Sequence, residues 1–222
     1  MKPKLQTVLN CGVIIIAILF LFQIKSKGQN YLMEDQTGGF HAGVQISYNS
    51  FENYYAVLPG YTFKGKLTLG FDIGKTKDLV NRINSTVFRP NASYLILKQS
   101  DEGLPISFDL NVGYQYNYVT QIEFNARSVQ FGAGIYHEIN PIENVKIVPA
   151  VFFEGNKPTA GPNPQFLQTV SLSYGTQVSL TWNNYYITPK YILNEGISTI
   201  SVKLGLLFSS KYTTSKEDID ED

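Results

Sequence analysis

Ile106-Ser107-Phe108-Asp109-Leu110-Asn111-Val112-Gly113-Tyr114-Gln115-Tyr116 decides the fold. Its even positions are large and apolar (Ile, Phe, Leu, Val, Tyr, Tyr). Its odd positions are polar or small (Ser, Asp, Asn, Gly, Gln). A period of two puts one face of a β-strand against apolar material and the other against water or polar groups. The rhythm recurs along most of the chain, broken by turn residues. Phe40, Ala42, Val44, Ile46 and Tyr48 alternate with His41, Gly43, Gln45 and Ser47; Leu67, Leu69, Phe71 and Ile73 alternate with Thr68, Gly70 and Asp72.

The N-terminus reads as an export signal. Lys2 and Lys4 precede an apolar run from Cys11 to Phe22, and Ser26-Lys27-Gly28 supplies a small-residue cleavage site before Gln29. The run is too short for a comfortable membrane-spanning helix, which needs ~20 residues. The expected organisation is a signal peptide over 1–28, an N-terminal periplasmic segment over 29–38, a barrel over 39–209 and an acidic tail over 210–222. Cys11 is the one cysteine, so the processed chain is expected to carry no disulfide.

Composition agrees with a barrel. Hydrophobic residues make up 43% of the chain while the mean hydropathy is −0.09, as when apolar residues occupy alternate positions and not continuous runs. The 15 Tyr and 14 Phe suit aromatic girdles. With 18 basic against 18 acidic residues, nothing argues for nucleic acid. A soluble exported sandwich would also alternate, but Phe, Tyr, Leu and Ile sit on one face of nearly every strand, opposite Gly, Ser, Asn and Gln.

Ten strands are read, about 39–48, 53–62, 66–74, 91–99, 106–116, 124–139, 144–154, 168–182, 185–193 and 197–208; eight is the alternative, because Pro59-Gly60 could be a turn. The fold class is therefore all-β, an antiparallel transmembrane β-barrel. Phe63-Lys64-Gly65, Asn183-Asn184 and Asn194-Glu195-Gly196 are tight turns. Lys75 to Phe88, with one or two helical turns from Asp78 to Ile83, Asn117 to Glu123 and the proline-rich Gly155 to Gln165 read as outer loops. Short and long connections then alternate as in barrels with short periplasmic turns, which places both termini in the periplasm. Pro59, Pro149 and Pro189 fall inside strands, where a missing amide donor leads one to expect bulges.

By this point the pattern resembles the small outer-membrane β-barrel proteins of Gram-negative bacteria, of the compact Bacteroidota type. The resemblance covers residues 39 to 208. Val202-Lys203-Leu204-Gly205-Leu206-Leu207-Phe208 looks like the family's closing strand, which implies an assembly signal at Leu204, Gly205, Leu206 and Phe208 read by the insertion machinery. In the family the aromatic usually ends the chain; here Ser209 to Asp222 follow it.

Parity sends Lys66, Asp72, Asp109, Lys146, Glu154, Lys190 and Lys203 inward. A lumen polar cluster of Asp109, Lys190, Lys203, Asp72 and Lys66 is expected, and in so narrow a barrel its charges must pair or hold water. Of two histidines, His41 is expected inward and His137 on the lipid-side parity, with no triad spacing around either. No catalytic, cofactor-binding or metal-binding residue is assigned, and no cofactor is expected. The expected role is non-enzymatic, structural or binding, as an accessory subunit of an outer-membrane complex. A narrow pore for small solutes and a lipid A-modifying enzyme are the alternatives. Expected partners are outer-membrane lipids and lipopolysaccharide, the insertion machinery, and other outer-membrane or periplasmic proteins. Glu217, Asp218, Asp220, Glu221 and Asp222 form a candidate docking strip for a basic partner.

Overall fold

The computed structural model describes residues 29–30, 33–34, 37–99, 104–119, 124–142, 144–160 and 169–211. The export signal, its cleavage site and the acidic docking strip lie outside the described residues. Among those described, no helix is long and apolar enough to cross a membrane.

Two short arms, β1 (Gln29–Asn30) and β2 (Met33–Glu34), pair with each other ahead of the main sheet. The sheet contains β3 (Thr37–Tyr48), β4 (Glu52–Val57), β5 (Gly60–Phe63), β6 (Leu67–Asp78), β7 (Asn84–Leu97) and β8 (Ser107–Val119). It continues with β9 (Phe124–Tyr136), β10 (Ile139–Ile142), β11 (Val145–Ala160), β12 (Ser171–Trp182), β13 (Tyr185–Asn194) and β14 (Ile197–Lys211). All pairings are antiparallel, running β3 to β4 and β5, these to β6, then β7, β8, β9, β11, β12, β13 and β14, and β14 pairs back onto β3 from Ile200↔Tyr48 to Lys211↔Thr37. That last pairing closes the sheet into a barrel of 10 staves. β4 and β5 form one stave, and β10 is a short arm before β11.

The wall faces two ways. On β8, Leu110, Val112 and Tyr114 are exposed while Asn111, Gly113 and Gln115 turn inward. The exposed face of nearly every stave is aliphatic or aromatic, including Phe40, Phe71, Tyr94, Phe131, Leu180, Trp182 and Phe208. So much contiguous apolar surface is tolerated only in contact with lipid. This is a transmembrane β-barrel with its hydrophilic rows inside.

Pro59, Pro149 and Pro189 do not bulge the wall. Gly39↔Thr62 and Val44↔Val57 keep one register on either side of Leu58-Pro59. Leu58 exchanges backbone bonds with Gly43, and the Pro59 carbonyl accepts from Phe71 N–H. Pro149 pairs with Val178, and Pro189 with Val202, without any shift. A proline already has strand-like φ, so dropping one donor interrupts the ladder locally and leaves the alignment intact. The register shifts lie elsewhere, between Leu95 and Leu97, between Pro158 and Ala160, and between Ile139 and Ile142.

The expected outer loops are largely strand. β6 runs to Asp78 and β7 starts at Asn84, leaving a tight turn with no helix between them. β8 extends to Val119, and β11 to Ala160. At this end the hairpins project past the apolar band with polar residues on both faces, so the alternation that marks a membrane strand vanishes. We call it the loop end. The other end, where β3 begins and β14 finishes, is the terminus end.

The lumen as candidate functional site

The interior holds a cavity of about 810 Å³. Its lining runs from Asn49, Glu52 and Asp78 at the loop end to Leu58, Tyr136, Ala150 and Tyr186 near the terminus end. Two ion pairs occupy its middle.

The first joins registered partners on adjacent strands, Asp72 on β6 and Arg89 on β7. Arg89 Nε donates to Asp72 Oδ2 at 2.8 Å, and Nη2 bonds the same oxygen. Asn91 Nδ2 donates to the other carboxylate oxygen at 3.2 Å. Arg89 Nη1 reaches Gln130 Oε1 at 3.4 Å, Gln130 Nε2 donates to Gln115 Oε1 at 2.8 Å, and the guanidinium lies 5.7 Å from the Tyr54 ring centroid. The network therefore spans β4 to β9.

The second pair crosses a strand. Lys190 on β13 donates to Glu154 Oε1 on β11 at 2.6 Å, and its ammonium lies 3.8 Å from the Phe152 ring centroid. β12 intervenes, and it presents Gly175 there. A Cβ at Gly175 would come within 2.5 Å of the Phe152 ring and 2.1 Å of the Tyr191 carbonyl, so the close approach needs glycine.

Of the expected cluster, Asp72 and Lys190 are thus paired, each with a partner outside it. Lys203 lies within electrostatic reach of Asp72, Arg89, Glu154 and Lys190 but forms no salt bridge among the described residues. Asp109 stands apart, its carboxylate lying against the Gly134 backbone. Both line the cavity. Lys66 does not belong. It occupies the turn after β5, exposed, with its N–H donated to Phe63 O at 2.9 Å. Parity counts it inward because the pattern places the turn at 63–65, one residue before its position at 64–66.

The sequence pattern does not yield Arg89, because it marks Lys75 to Phe88 as loop and starts the following strand at Asn91. The signal was present in Ser85, Val87, Arg89 and Asn91 on one parity, with Thr86, Phe88 and Pro90 on the other.

Toward the terminus end the lumen is packed. Leu95, Tyr136, Val148 and Ala150 bury one another, and Tyr186 packs with Leu207. Beside them sits a second polar group. Gln99 Nε2 donates to Glu138 O at 3.0 Å while Glu138 N–H donates to Gln99 Oε1 at 2.6 Å. Gln99 N–H donates to Ser107 Oγ at 2.8 Å, and Lys146 lies 3.5 Å from Glu138. His137 does not face lipid. It is 1% exposed, with Nδ1 donating to Pro105 O at 2.6 Å, because β9 ends at Tyr136 and the alternation breaks there, leaving Tyr136, His137 and Glu138 all buried. His41 faces inward as expected, its ring against Gly60.

In the closing strand, Leu204, Leu206 and Phe208 are exposed on the outer wall, and Phe208 lies 6.3 Å from Phe40 across the β14–β3 seam. Gly205 points inward beneath Tyr186. Ser201 and Ser47, also partners across this seam, share a 2.9 Å hydroxyl bond inside the wall.

No protein-family model matches the chain, and no curated protein does. Among solved structures it is similar to the N-terminal β-barrel domain of OprF from Pseudomonas aeruginosa, at 11% identity and a TM-score of 0.38, covering 82% of this chain and 99% of that one. It is similar to the KdgM porin in complex with disordered oligogalacturonate, at 8% identity and 0.42, covering 75% and 98%. It is also similar to the β domain of the Bordetella autotransporter BrkA, at 10% identity and 0.43, covering 77% and 98%. The closed wall, its apolar exterior and its charged interior make this chain a β-barrel of the outer-membrane kind.

Proposed function

We propose that the protein is a non-enzymatic outer-membrane barrel with a binding or structural role, whose lumen is a closed, hydrated cup and not a passage. The observation that carries this reading is how the interior is committed. Asp72 and Glu154 are engaged by Arg89 and Lys190 at mid-lumen, and Leu95, Tyr136, Val148 and Ala150 fill one side of the terminus end. Fixed ion pairs and packed side chains give rigidity to a wall that has no other core. Both termini are periplasmic in this reading, supported by the strands that run on past the apolar band at the opposite end, β6 to Asp78, β8 to Val119 and β11 to Ala160. The loop-end hairpins would then face outward, available to a partner as an accessory subunit of a larger assembly. A Bacteroidota-type origin fits the compact size.

The absence of enzymatic activity is part of this proposal. It is supported by the separation of the two histidines, one against Gly60 and one held by the Pro105 carbonyl. An unchanged lipid A mass spectrum on gene deletion is the expected result, and a shift would favour a lipid A-modifying enzyme.

Planar-bilayer recording tests the closed lumen. The wild-type protein is expected to show no steady open level, and the Leu95→Ala, Tyr136→Ala, Val148→Ala variant to conduct. Steady conductance from the wild type would favour the second reading, a narrow polar pore, which Lys203 and Asp109 on the cavity wall would serve.

A further inference from the structure

Among the described residues, the outward face of the barrel carries charge at one end only, and that charge has one sign. Lys75 and Lys77 on β6, Arg127 on β9 and Lys157 on β11 are exposed and continue the outward rows of their strands. On the terminus half, the outward positions of the described strands carry no charge. The carboxylates near the loop end, Glu52 and Asp78, lie on the opposite parity and line the cavity. Glu195 is in a turn on the far side of the barrel, between β13 and β14.

The heights agree. Each cation caps an apolar column: Leu67, Leu69, Phe71 and Ile73 lead to Lys75 and Lys77; Ile135, Ala133, Phe131 and Val129 lead to Arg127; Ile147, Pro149, Val151, Phe153 and Gly155 lead to Lys157. With a rise of ~3.3 Å per residue and a strand tilt of ~40°, Lys75 and Lys77 stand roughly 20 and 25 Å above Leu67. On the same basis Arg127 stands about 20 Å above Ile135, and Lys157 about 25 Å above Ile147. The apolar band of such barrels is ~25 Å tall. The four cations therefore border the hydrocarbon at headgroup level.

They are also free to engage a ligand. None forms a salt bridge with a described residue, and Arg127 is steadied by the Tyr116 ring 5.8 Å away. They fall into two pairs, Lys75 with Lys77 and Arg127 with Lys157. Three strand steps separate β6 from β9, about 14 Å along the wall at ~4.8 Å per step. The staves β12, β13, β14, β3 and β4 carry no outward charge at this height.

The geometry points to a lipid-binding arc across β6 to β11 that takes a glycolipid headgroup with two separated phosphates, as in the lipid A moiety of lipopolysaccharide. Cations at a membrane surface attract anionic headgroups. Their position on the lipid-facing parity selects a membrane lipid over a soluble anion, and the two pairs select a headgroup charged at both ends. The inference rests on the proposed orientation, with the loop end at the outer leaflet, and holds whether or not the lumen conducts.

Native mass spectrometry of the detergent-solubilised full chain tests it, with bisphosphorylated lipid A, dephosphorylated lipid A and phosphatidylglycerol as probes. The wild type is expected to retain bisphosphorylated lipid A through detergent exchange, and the Lys75→Gln, Lys77→Gln, Arg127→Gln, Lys157→Gln variant to retain at least tenfold less. Replacing the three lysines by arginine is expected to preserve retention, and heat-modifiable gel mobility to confirm that each variant is folded. Equal retention of the dephosphorylated lipid, or undiminished retention by the glutamine variant, would overturn the site. Equal retention of phosphatidylglycerol would overturn its assignment to a bisphosphorylated glycolipid.

Discussion

Gly43 and Gly205 are registered partners across the β14–β3 seam, and one aromatic ring, Tyr186, lies over both. A Cβ at Gly205 would come within 2.4 Å of the Ala42 carbonyl and 2.5 Å of the Tyr186 ring. At Gly43 it would meet the Tyr186 hydroxyl at 2.4 Å and the Leu204 carbonyl at 2.7 Å. Gly205→Ala is therefore expected to destabilise the barrel by about 2 kcal/mol through overpacking. Urea titration in lipid vesicles measures this. In a Tyr186→Ala background the penalty should shrink, because the ring no longer competes for the space, while the carbonyl contact persists.

Asp72 and Arg89 make a second coupled pair. Removing one partner strands a buried charge, so Asp72→Ala is expected to cost about 3 kcal/mol. The double variant Asp72→Leu, Arg89→Met should recover most of that, since well-packed apolar residues often replace a buried pair without loss. If the single variant unfolds at the wild-type denaturant midpoint, the pair is not a structural element of the lumen.

At the terminus end, Lys146→Met removes the ammonium that lies 3.5 Å from the buried Glu138 carboxylate. Hydrogen exchange is expected to speed up in β10 and the first residues of β11, with β3 and β14 unchanged. Glu138→Gln should be milder, because the backbone exchange with Gln99 survives it.

Acid should loosen one loop-end hairpin. Asp78 accepts from the Val80 and Asn81 N–H groups at 2.8 Å each and from Asn81 Nδ2 at 2.9 Å. The Asn81 bonds chiefly hold its carboxyl below the usual carboxylate value. A depressed folded-state value means the stabilisation is present above the unfolded-state value, near 3.9, and is lost as pH falls through the folded one. Amide exchange at 79–83 is expected to accelerate below about pH 4. Asp78→Ala should show that fast exchange at neutral pH.

The sequence disclosed the wall better than its contents. Ile106–Tyr116 announces its strand because lipid and lumen make opposite demands on its two faces. The stretch from Lys75 to Phe88 does not, since beyond the bilayer both faces meet water and alternation has no cause. That silence hid Arg89, and with it the partner of Asp72. Parity counting placed Lys190 and Asp72 correctly because each sits well inside a strand. It failed at Lys66 and His137, where the turn starts later, or the strand ends sooner, than the pattern indicates. The prolines misled for another reason: they lose a donor, yet their fixed φ already suits an extended chain.

Every one of the 12 residues in β3 pairs with β14, so the first stave of the barrel is completed only by the last. Until Ile197–Lys211 arrives, both margins of the curving sheet offer unsatisfied amides and carbonyls to any passing chain. Contacts between such distant stretches form late and slowly. A polypeptide still lacking β14 is therefore prone to pair with the wrong strand, and a truncation before β14 should yield aggregate instead of a smaller barrel.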